Sequence, residues 1–243
     1  MRKIYYIFMI ALLLMLASCN LDDVGLNNKI FYYEKIDEES IAIGNVIEIP
    51  ENGAVFIPYQ IDSYNVSKLG FNSGLGFGGN GYLSQNSTEN MFTRCYIPCS
   101  VNSVMGGYFK FVNHTKIFYG GKAFDLECFN NLREGNELYV LPSEYDSFCE
   151  IYDDKWHQSI HKANVIYHLN NDSFEDNVYY LDYYNDNELI TYIPPIPNRD
   201  GFTFKGWYME EECINEWDFE NSKLSFNTSD YKLVLYSKWI KEK

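Results

Sequence analysis

Positive charge is scarce in this chain of 243 residues. It has 19 lysine and arginine residues against 34 aspartate and glutamate residues, which gives a formal net charge of −15 at pH 7. Proteins that bind nucleic acids neutralise phosphates with clustered lysine and arginine side chains. The charge balance therefore excludes a nucleic-acid partner and predicts an acidic surface that anionic lipid headgroups repel.

Long apolar runs are also missing, except at the N-terminus. After two basic residues, Ile4–Leu16 forms a run that is as long as the central region of a signal peptide and too short to span a bilayer comfortably. The sequence Leu16-Ala17-Ser18-Cys19 follows, and it resembles the lipobox of bacterial lipoproteins. The resemblance implies that residues 1–18 are a signal peptide and that Cys19 carries lipid. The alternative is a plain signal peptide with an accidental cysteine.

Residues 19–29 are polar and rich in Asp and Asn, so we expect a tether between the lipid and the folded part. Cysteine is too sparse beyond this point for a disulfide framework, because the remaining number is odd and the spacing is irregular. The sequence leaves one pair open and assigns no partners. The five remaining cysteines are Cys95, Cys99, Cys128, Cys149 and Cys213.

Signatures of catalysis are absent from the sequence. No serine or cysteine has an identifiable histidine–acid pair. The acidic groups, such as Glu210-Glu211-Glu212, are adjacent in sequence, whereas glycosidases hold two carboxylates apart across a cleft. The glycine-rich stretch Gly74–Gly79 is followed by neither a good helix nor a Lys-Ser/Thr pair, so a loop is the better interpretation than a phosphate site. We expect a protein that is not an enzyme and has no cofactor.

One pair of histidines could suggest a metal site. His157 and His161 would share one face if their segment were helical, with Asp153 and Asp154 one turn upstream. A closed zinc site needs four ligands, and no further ligand is marked by the spacing. We therefore expect no metal and interpret the pair as part of a polar, exposed helix face at the domain junction.

Aromatic residues, by contrast, are abundant. They make up 18% of the chain, with 22 Tyr and 17 Phe, while Pro numbers only 7. Aromatic and β-branched residues favour strands over long helices. The composition predicts a mainly β fold.

Two segments of the middle region share a pattern. Ile57-Pro58 is followed by Ile61, and Ile97-Pro98 is followed by Val101, each with further aliphatic residues downstream. Repeated aliphatic positions allow stacked turns to bury one continuous core. The segments resemble the BspA-like leucine-rich repeats of bacterial surface proteins. The resemblance implies that residues 30–161 form a degenerate, β-rich region of the leucine-rich-repeat type.

The C-terminal third carries a more specific motif, spread over residues 164–172, 188–208, 217–224 and 231–239. It resembles the Listeria–Bacteroides repeat, also called the internalin B-repeat family. The resemblance implies that residues 162–243 form a small β-grasp-like domain of bacterial surface proteins, which we expect to fold alone. The matching positions are Pro194, Pro197, Arg199, Gly201, Phe202, Phe204, Gly206, Trp207, Tyr208, Trp217, Phe219, Leu235, Tyr236, Lys238 and Trp239.

Alternation gives the aromatic residues of this motif a structural role. Phe202 and Phe204 share one strand face, and Trp207 joins that face only if a bulge at Gly206 resets the alternation. A domain this small buries large rings because it can bury little aliphatic surface. An exposed aromatic binding face is the alternative. The predicted core residues are Phe202, Phe204, Trp207, Tyr208, Trp217, Phe219, Tyr236 and Trp239.

Together these patterns predict a bacterial cell-surface protein that is anchored to a membrane through lipid on Cys19. Its expected role is to present an adhesion or interaction surface to a host or neighbouring surface protein or glycan. The competing hypothesis is a structural spacer of the cell envelope that binds nothing. Exposed aromatic rings would favour binding, and a chain with buried rings and no pocket would favour the spacer.

Overall fold

The computed structural model describes residues 24–27, 31–46, 52–71, 93–106, 108, 114–123, 135–152, 159–170, 178–226 and 231–242. Within these residues the chain forms fifteen strands and one short helix, α1 (Tyr145–Ile151), so the prediction of a mainly β fold is confirmed. Cys19, Cys128 and His157 and the predicted glycine-rich loop lie outside the described residues. The strands are β1 (Val24–Asn27), β2 (Phe31–Lys35), β3 (Ser40–Val46), β4 (Ala54–Phe56), β5 (Gln60–Ile61), β6 (Tyr64–Leu69), β7 (Arg94–Ile97), β8 (Ser103–Val104), β9 (Lys116–Tyr119), β10 (Glu137–Val140), β11 (Ile160–Lys162), β12 (Val165–His168), β13 (Val178–Asp182), β14 (Phe202–Tyr208) and β15 (Leu233–Lys241).

The first sheet has the strand order β1-β2-β3-β6-β5, and β8 pairs with β6. Its N-terminal strands are antiparallel, whereas β3, β6 and β8 run parallel to one another. Strand β1 lies within the residues expected to be a tether. It is instead paired with β2 from Val24↔Glu34 to Asn27↔Phe31, because its backbone completes the edge of this sheet.

The second sheet has the strand order β11-β10-β9-β7-β4, and every pair in it is parallel. Its last four strands in sequence begin at residues 94, 116, 137 and 160, which are 22, 21 and 23 residues apart. Parallel neighbours need a crossover connection. The described elements that lie between the strands of this sheet in sequence, β5, β6, β8 and α1, all contribute side chains to the core on one face of the sheet. The two Ile–Pro segments occupy equivalent places. Ile57 directly follows β4, Ile97 is the last residue of β7, and these two strands pair in register.

The third sheet is four-stranded, with the order β13-β12-β15-β14. Its central pair, β12 and β15, is parallel, and the outer pairs are antiparallel. Between Phe204↔Trp239 and Trp207↔Ser237 strand β14 advances one residue more than β15, and Gly206 has a φ of 114°. The bulge predicted at Gly206 is therefore confirmed, and it turns Trp207 toward the face that Phe204 occupies, with their ring centroids 5.3 Å apart.

The second sheet forms the middle layer between two hydrophobic cores. One core fills the space between its first face and the first sheet, and α1 closes that side through Phe148. The other core fills the space between its second face and the third sheet. All-parallel sheets are stable when both faces are covered, and this arrangement supplies both covers. We call the first two sheets with α1 the N-terminal lobe and the third sheet with its connections the C-terminal lobe.

The connection between the two lobes is very short. Strand β11 ends at Lys162 and β12 begins at Val165, so only two residues join them. Asn164 fixes this junction with its side chain, which donates to the Tyr184 carbonyl at 2.7 Å and accepts from the Tyr184 amide at 3.0 Å. The predicted boundary at residue 162 thus falls at the end of a strand that still belongs to the N-terminal lobe.

The bulge at Gly206 gives a test of the C-terminal lobe. The φ of 114° lies outside the left-handed region that alanine tolerates, so we expect Gly206→Ala to lower the free energy of unfolding by about 2 kcal/mol. Gly201→Ala is the matched control, because its φ is 74° and an added Cβ would meet no atom within 4 Å. For that variant we expect about 1 kcal/mol. Urea unfolding followed by tryptophan fluorescence measures both, and equal losses would contradict the special strain at Gly206.

Candidate functional site

A row of rings crosses the second face of the parallel sheet. Five residues occupy the same rung of neighbouring strands and form what we call the aromatic ladder: Phe56, Tyr96, Phe118, Tyr139 and His161. Ring centroids lie 5.1 Å apart for Phe56–Tyr96, 4.9 Å for Phe118–Tyr139 and 5.0 Å for Tyr139–His161. Stacked contacts of this kind add to the free energy gained by burying the rings.

The C-terminal lobe covers the aromatic ladder. Tyr180 of β13 places its ring 5.1 Å from Tyr96 and 6.2 Å from Phe118. Tyr183, just after the same strand, lies 5.1 Å from Tyr139. The three central rings of the ladder are consequently buried, so this broad aromatic face is already occupied by the chain itself.

A buried ion pair joins the two lobes. Arg94 on β7 contacts Asp182 at the end of β13, whose side chain is fully buried. Arg94 also donates to the Tyr180 hydroxyl at 3.0 Å, and Tyr180 in turn donates to Asp182 at 3.1 Å. The Tyr183 amide completes the site by donating to the other Asp182 oxygen at 2.8 Å. Each oxygen of the carboxylate therefore has a donor, which a buried charge requires.

The pKa values of the pair reflect its burial. Burial raises the pKa of Asp182 above its ordinary value, and the Arg94 guanidinium opposes part of that rise. Burial also acts to lower the pKa of Arg94, but Tyr180 and Asp182 beside it outweigh burial and raise it, so Arg94 stays charged. Arg94 further lies over the Tyr192 ring at 4.9 Å, which ties a second segment of the C-terminal lobe to β7.

Breaking this pair on one side should destabilise the protein strongly. We expect Arg94→Met to cost about 3–5 kcal/mol, because it leaves the Asp182 carboxylate buried without its cation. The double variant Arg94→Met, Asp182→Leu should recover most of that loss, since no charge is then buried. Chemical denaturation of the full chain measures both free energies.

Lys116→Met is the matched control for this comparison, because Lys116 pairs with Arg94 on the same rung of the sheet. Lys116 lies over the Tyr139 ring at 5.6 Å, and we expect its loss to cost at most about 1 kcal/mol. A double variant that is less stable than Arg94→Met would overturn the role given to the ion pair.

An open groove lies where the two lobes meet beside β4; we call it the junction groove. Its volume is about 470 Å³. The N-terminal lobe contributes one wall, and the C-terminal lobe contributes the other through Tyr179 and the proline-rich connection before β14. The twelve lining residues are Phe31, Phe56, Pro58, Tyr59, Gln60, Asp62, Ser63, Tyr179, Pro195, Ile196, Asn198 and Asp200.

Contacts within the walls hold the junction groove in shape. The Tyr179 hydroxyl donates to the Pro195 carbonyl at 2.8 Å, and the Tyr179 ring lies 5.2 Å from Phe56 on the opposite lobe. Tyr59 and Asp200 both lie on the rim of the groove. Burial raises the pKa of Tyr59, and the Asp200 carboxylate adds to the rise. Tyr59 and Asp200 come from different lobes, so the groove exists only while the lobes are docked.

A strained turn forms one edge of the junction groove. Asp62 and Ser63 both have positive φ, 48° and 72°, and form the two-residue turn between β5 and β6. Such turns match the twist of a hairpin but usually contain Gly or Asn. The Tyr33 hydroxyl donates to the Asp62 carboxylate at 3.3 Å, and burial, followed by Asp62, raises the pKa of Tyr33. The turn therefore presents a carboxylate at a fixed place on the rim.

A second groove, of about 560 Å³, lies on the far side of the ion pair. Arg94, Lys116 and Lys223 line it, which is unusual in an acidic chain. Arg94 is already paired with Asp182, however, and Lys116 is close enough to Glu188 to lower the pKa of that carboxyl after two hydrogen bonds from Asn185. Two of the three cations that line this groove, Arg94 and Lys116, thus already have acidic neighbours within the protein.

The structure places the eight predicted core aromatics around the third sheet. Trp207 and Tyr208 are buried, and Trp207 packs edge-on against Tyr167 at 4.9 Å. The other six are only partly buried. Four of them, namely Phe204, Trp217, Phe219 and Trp239, pack against the second core. Phe202 lies under the Arg199 guanidinium at 4.0 Å, and Tyr236 lies 5.4 Å from the His168 ring.

None of these eight residues lines the junction groove. Sequence reasoning missed Tyr59, Tyr179 and Asp200, which do. The only available signal was local: Tyr59 follows an Ile–Pro pair, and Asp200 precedes the Gly201 motif. Nothing in either pattern indicates that the two would meet.

The helical interpretation of the histidine pair is wrong at His161. Helix α1 ends at Ile151, and His161 lies on strand β11, where its ring packs on Tyr139. The segment forms a strand because its pairing with β10 extends the parallel sheet by one more strand. His161 Nε2 lies 3.7 Å from a Glu137 oxygen. No group of three or more His, Cys, Asp or Glu side chains suited to a metal occurs in the part of the chain that the structure describes.

Among the described residues, no helix has the length and apolar character needed to cross a membrane.

Two proteins of Evansella cellulosilytica are similar to part of the chain. The "Putative Gly-rich membrane protein" is 46% identical over 46 residues, and the "Putative membrane protein" is 39% identical over 46 residues. Each match covers 19% of this chain but only 5% and 6% of the two relatives. The model of the Listeria–Bacteroides repeat domain matches residues 164–238, which confirms the resemblance predicted for the C-terminal part of the chain.

Proposed function

We propose that the chain is a lipid-anchored protein of a bacterial cell envelope that presents an interaction surface and catalyses no reaction. Its location outside the cytoplasm is supported by the lipobox-like sequence ending at Cys19 and by the C-terminal match to a Listeria–Bacteroides repeat domain. Relatives whose names describe membrane proteins agree with an envelope location.

The N-terminal lobe, in this proposal, is a short and irregular array of the leucine-rich-repeat type. The spacing of 21 to 23 residues between successive parallel strands falls within the range of such repeats. The C-terminal lobe is the surface-protein module, and the parallel centre of its sheet is compatible with the β-grasp-like fold. Repeat arrays commonly use a broad sheet face for binding, but here that face is covered.

The junction groove is the single observation that supports an interaction function. It combines an apolar floor with polar rim residues, which is the composition of small-molecule and glycan sites rather than of a plain surface. The spacer hypothesis is favoured by a different observation, namely the burial of the aromatic ladder between the lobes. A spacer needs rigid lobes but has no use for a groove with exposed polar groups on its rim.

Lipid anchoring is tested directly by metabolic labelling. Palmitate supplied to cells that express the full chain should label the protein, and Cys19→Ala should abolish the label. Cys99→Ala is the matched control, because Cys99 is a cysteine of the folded part with no place in the lipobox. Label that persists in Cys19→Ala would overturn the anchor.

Interaction is tested with liposomes that carry the lipidated full chain. We expect them to adhere to epithelial or bacterial cells, and we expect Tyr59→Ala combined with Asp200→Ala to reduce adherence because both residues line the junction groove. Tyr231→Ala, which removes an exposed tyrosine outside that groove, should leave adherence unchanged. If the liposomes adhere to neither cell type, the interaction function is contradicted and the spacer hypothesis is favoured.

A further inference from the structure

We propose that the junction groove binds a neutral oligosaccharide. The inference rests on the proposed interaction function and names the chemical class of its ligand. It is argued from the floor, the rim, the dimensions and the rigidity of the groove.

The floor of the groove suits the apolar face of a sugar ring. The buried Phe31 and Tyr179 and the partly buried Phe56 form its base, and the partly exposed Tyr59 stands beside them. A pyranose ring has one face made of C–H groups, which gains free energy when an aromatic ring removes it from water. Ile196, with 76% of its surface exposed, extends this apolar area to the outer wall.

The rim suits the hydroxyl groups at the edge of the same sugar ring. Gln60, Asp62, Ser63, Asn198 and Asp200 are all exposed and all line the groove. Amides and hydroxyls both donate and accept hydrogen bonds, while carboxylates accept them. Gln60 and Asp62 each have a partner in the protein, Asn65 and Tyr33, and keep further capacity for hydrogen bonds. A ligand that is rich in hydroxyls can pair with such groups, whereas an apolar ligand would remove their water and offer no hydrogen bonds in return.

The charge of the rim decides against an anionic ligand. None of the twelve lining residues is Lys, Arg or His, and two are carboxylates, Asp62 and Asp200. The whole chain adds a net charge of −15. Phosphates, sulfated glycans and sugar acids would therefore be repelled. A cationic peptide remains the competing ligand, and the experiment includes it.

The dimensions favour a short chain of sugars over a single one. The junction groove, at about 470 Å³, lies within the ~300–1,000 Å³ of typical ligand sites. A third groove, of about 310 Å³ and more apolar, adjoins the junction groove and shares Phe31, Phe56 and Pro195 with it. The two together form an extended track along the proline-rich connection.

The walls are fixed before any ligand arrives. Tyr179 is hydrogen-bonded to Pro195, the Asp62–Ser63 turn is short, and the lobes are locked by the Arg94–Asp182 pair. Prolines 194, 195 and 197 restrict the connection further. A preformed site loses little conformational entropy on binding, which matters for weakly hydrophobic ligands such as sugars.

The test measures binding by the full chain in a detergent without sugar headgroups, using isothermal titration calorimetry. The probes are neutral gluco-, manno- and galacto-oligosaccharides of three to six units, a sulfated oligosaccharide and trilysine. We expect saturable binding of at least one neutral oligosaccharide and none of the sulfated probe. Tyr59→Ala and Asp200→Ala should each weaken that binding by about tenfold or more.

Two variants separate the site from general effects. Tyr59→Phe keeps the ring that contacts the sugar and removes only a hydroxyl. It should therefore bind within about threefold of the natural chain. Tyr231→Ala removes an exposed ring elsewhere and should bind normally. Thermal unfolding of each variant confirms that the lobes remain folded.

Three results would overturn the inference. They are no binding of any neutral oligosaccharide, neutral binding that Tyr59→Ala and Asp200→Ala leave unchanged, and binding of trilysine alone. If liposomes carrying the chain still adhere to cells in these cases, the proposed interaction function stands and only the glycan ligand is rejected. If the liposomes do not adhere, the interaction function itself fails.

Discussion

The structure depends on covering both faces of one all-parallel sheet. Its first face is apolar and packs against the N-terminal sheet and α1. Its second face carries the aromatic ladder, which would expose a broad apolar surface if it were left open. Strand β13 and the residues after it cover this face, and the Arg94–Asp182 pair fixes their position. The three layers are therefore one unit held together through the middle sheet.

This arrangement changes how the C-terminal lobe is understood. As a sequence motif it is complete in itself, and the motif alone predicts a domain that folds independently. In the structure its tyrosines 180 and 183 are packed against rings of the other lobe. Separation would expose aromatic surface on both lobes and leave Asp182 without its cation. The two-residue connection at Ala163–Asn164 also keeps the lobes close, and the hydrogen bonds of Asn164 to Tyr184 fix this connection to the C-terminal lobe.

The covered ladder also explains where a ligand can bind. Interaction through the wide sheet face is blocked by the chain itself, so a ligand of this sheet has to bind at its edge, and the junction groove lies at the edge formed by β4. There the lobes diverge and leave the junction groove. Its polar rim comes from turns and from the proline-rich connection, whose residues are not committed to strand pairing and can serve a ligand. The same docking that closes one surface thus creates the other.

The sequence by itself determined the strand-rich class, the bulge at Gly206 and the identity of the C-terminal module. The first two follow from composition, alternation and local spacing, which depend on residues that are close together in the chain. The third rests on the resemblance of the motif to the Listeria–Bacteroides repeat, whose family model matches residues 164–238. The tertiary structure alone decided that Phe56, Tyr96, Phe118 and Tyr139 form one ladder, that β13 covers it, and that His161 belongs to a strand rather than a helix. It also placed Tyr59 and Asp200 on the rim of one groove. Such contacts join residues that are distant in sequence, and their partners are chosen by shape, burial and charge in the folded chain, for which a single sequence carries no local signal.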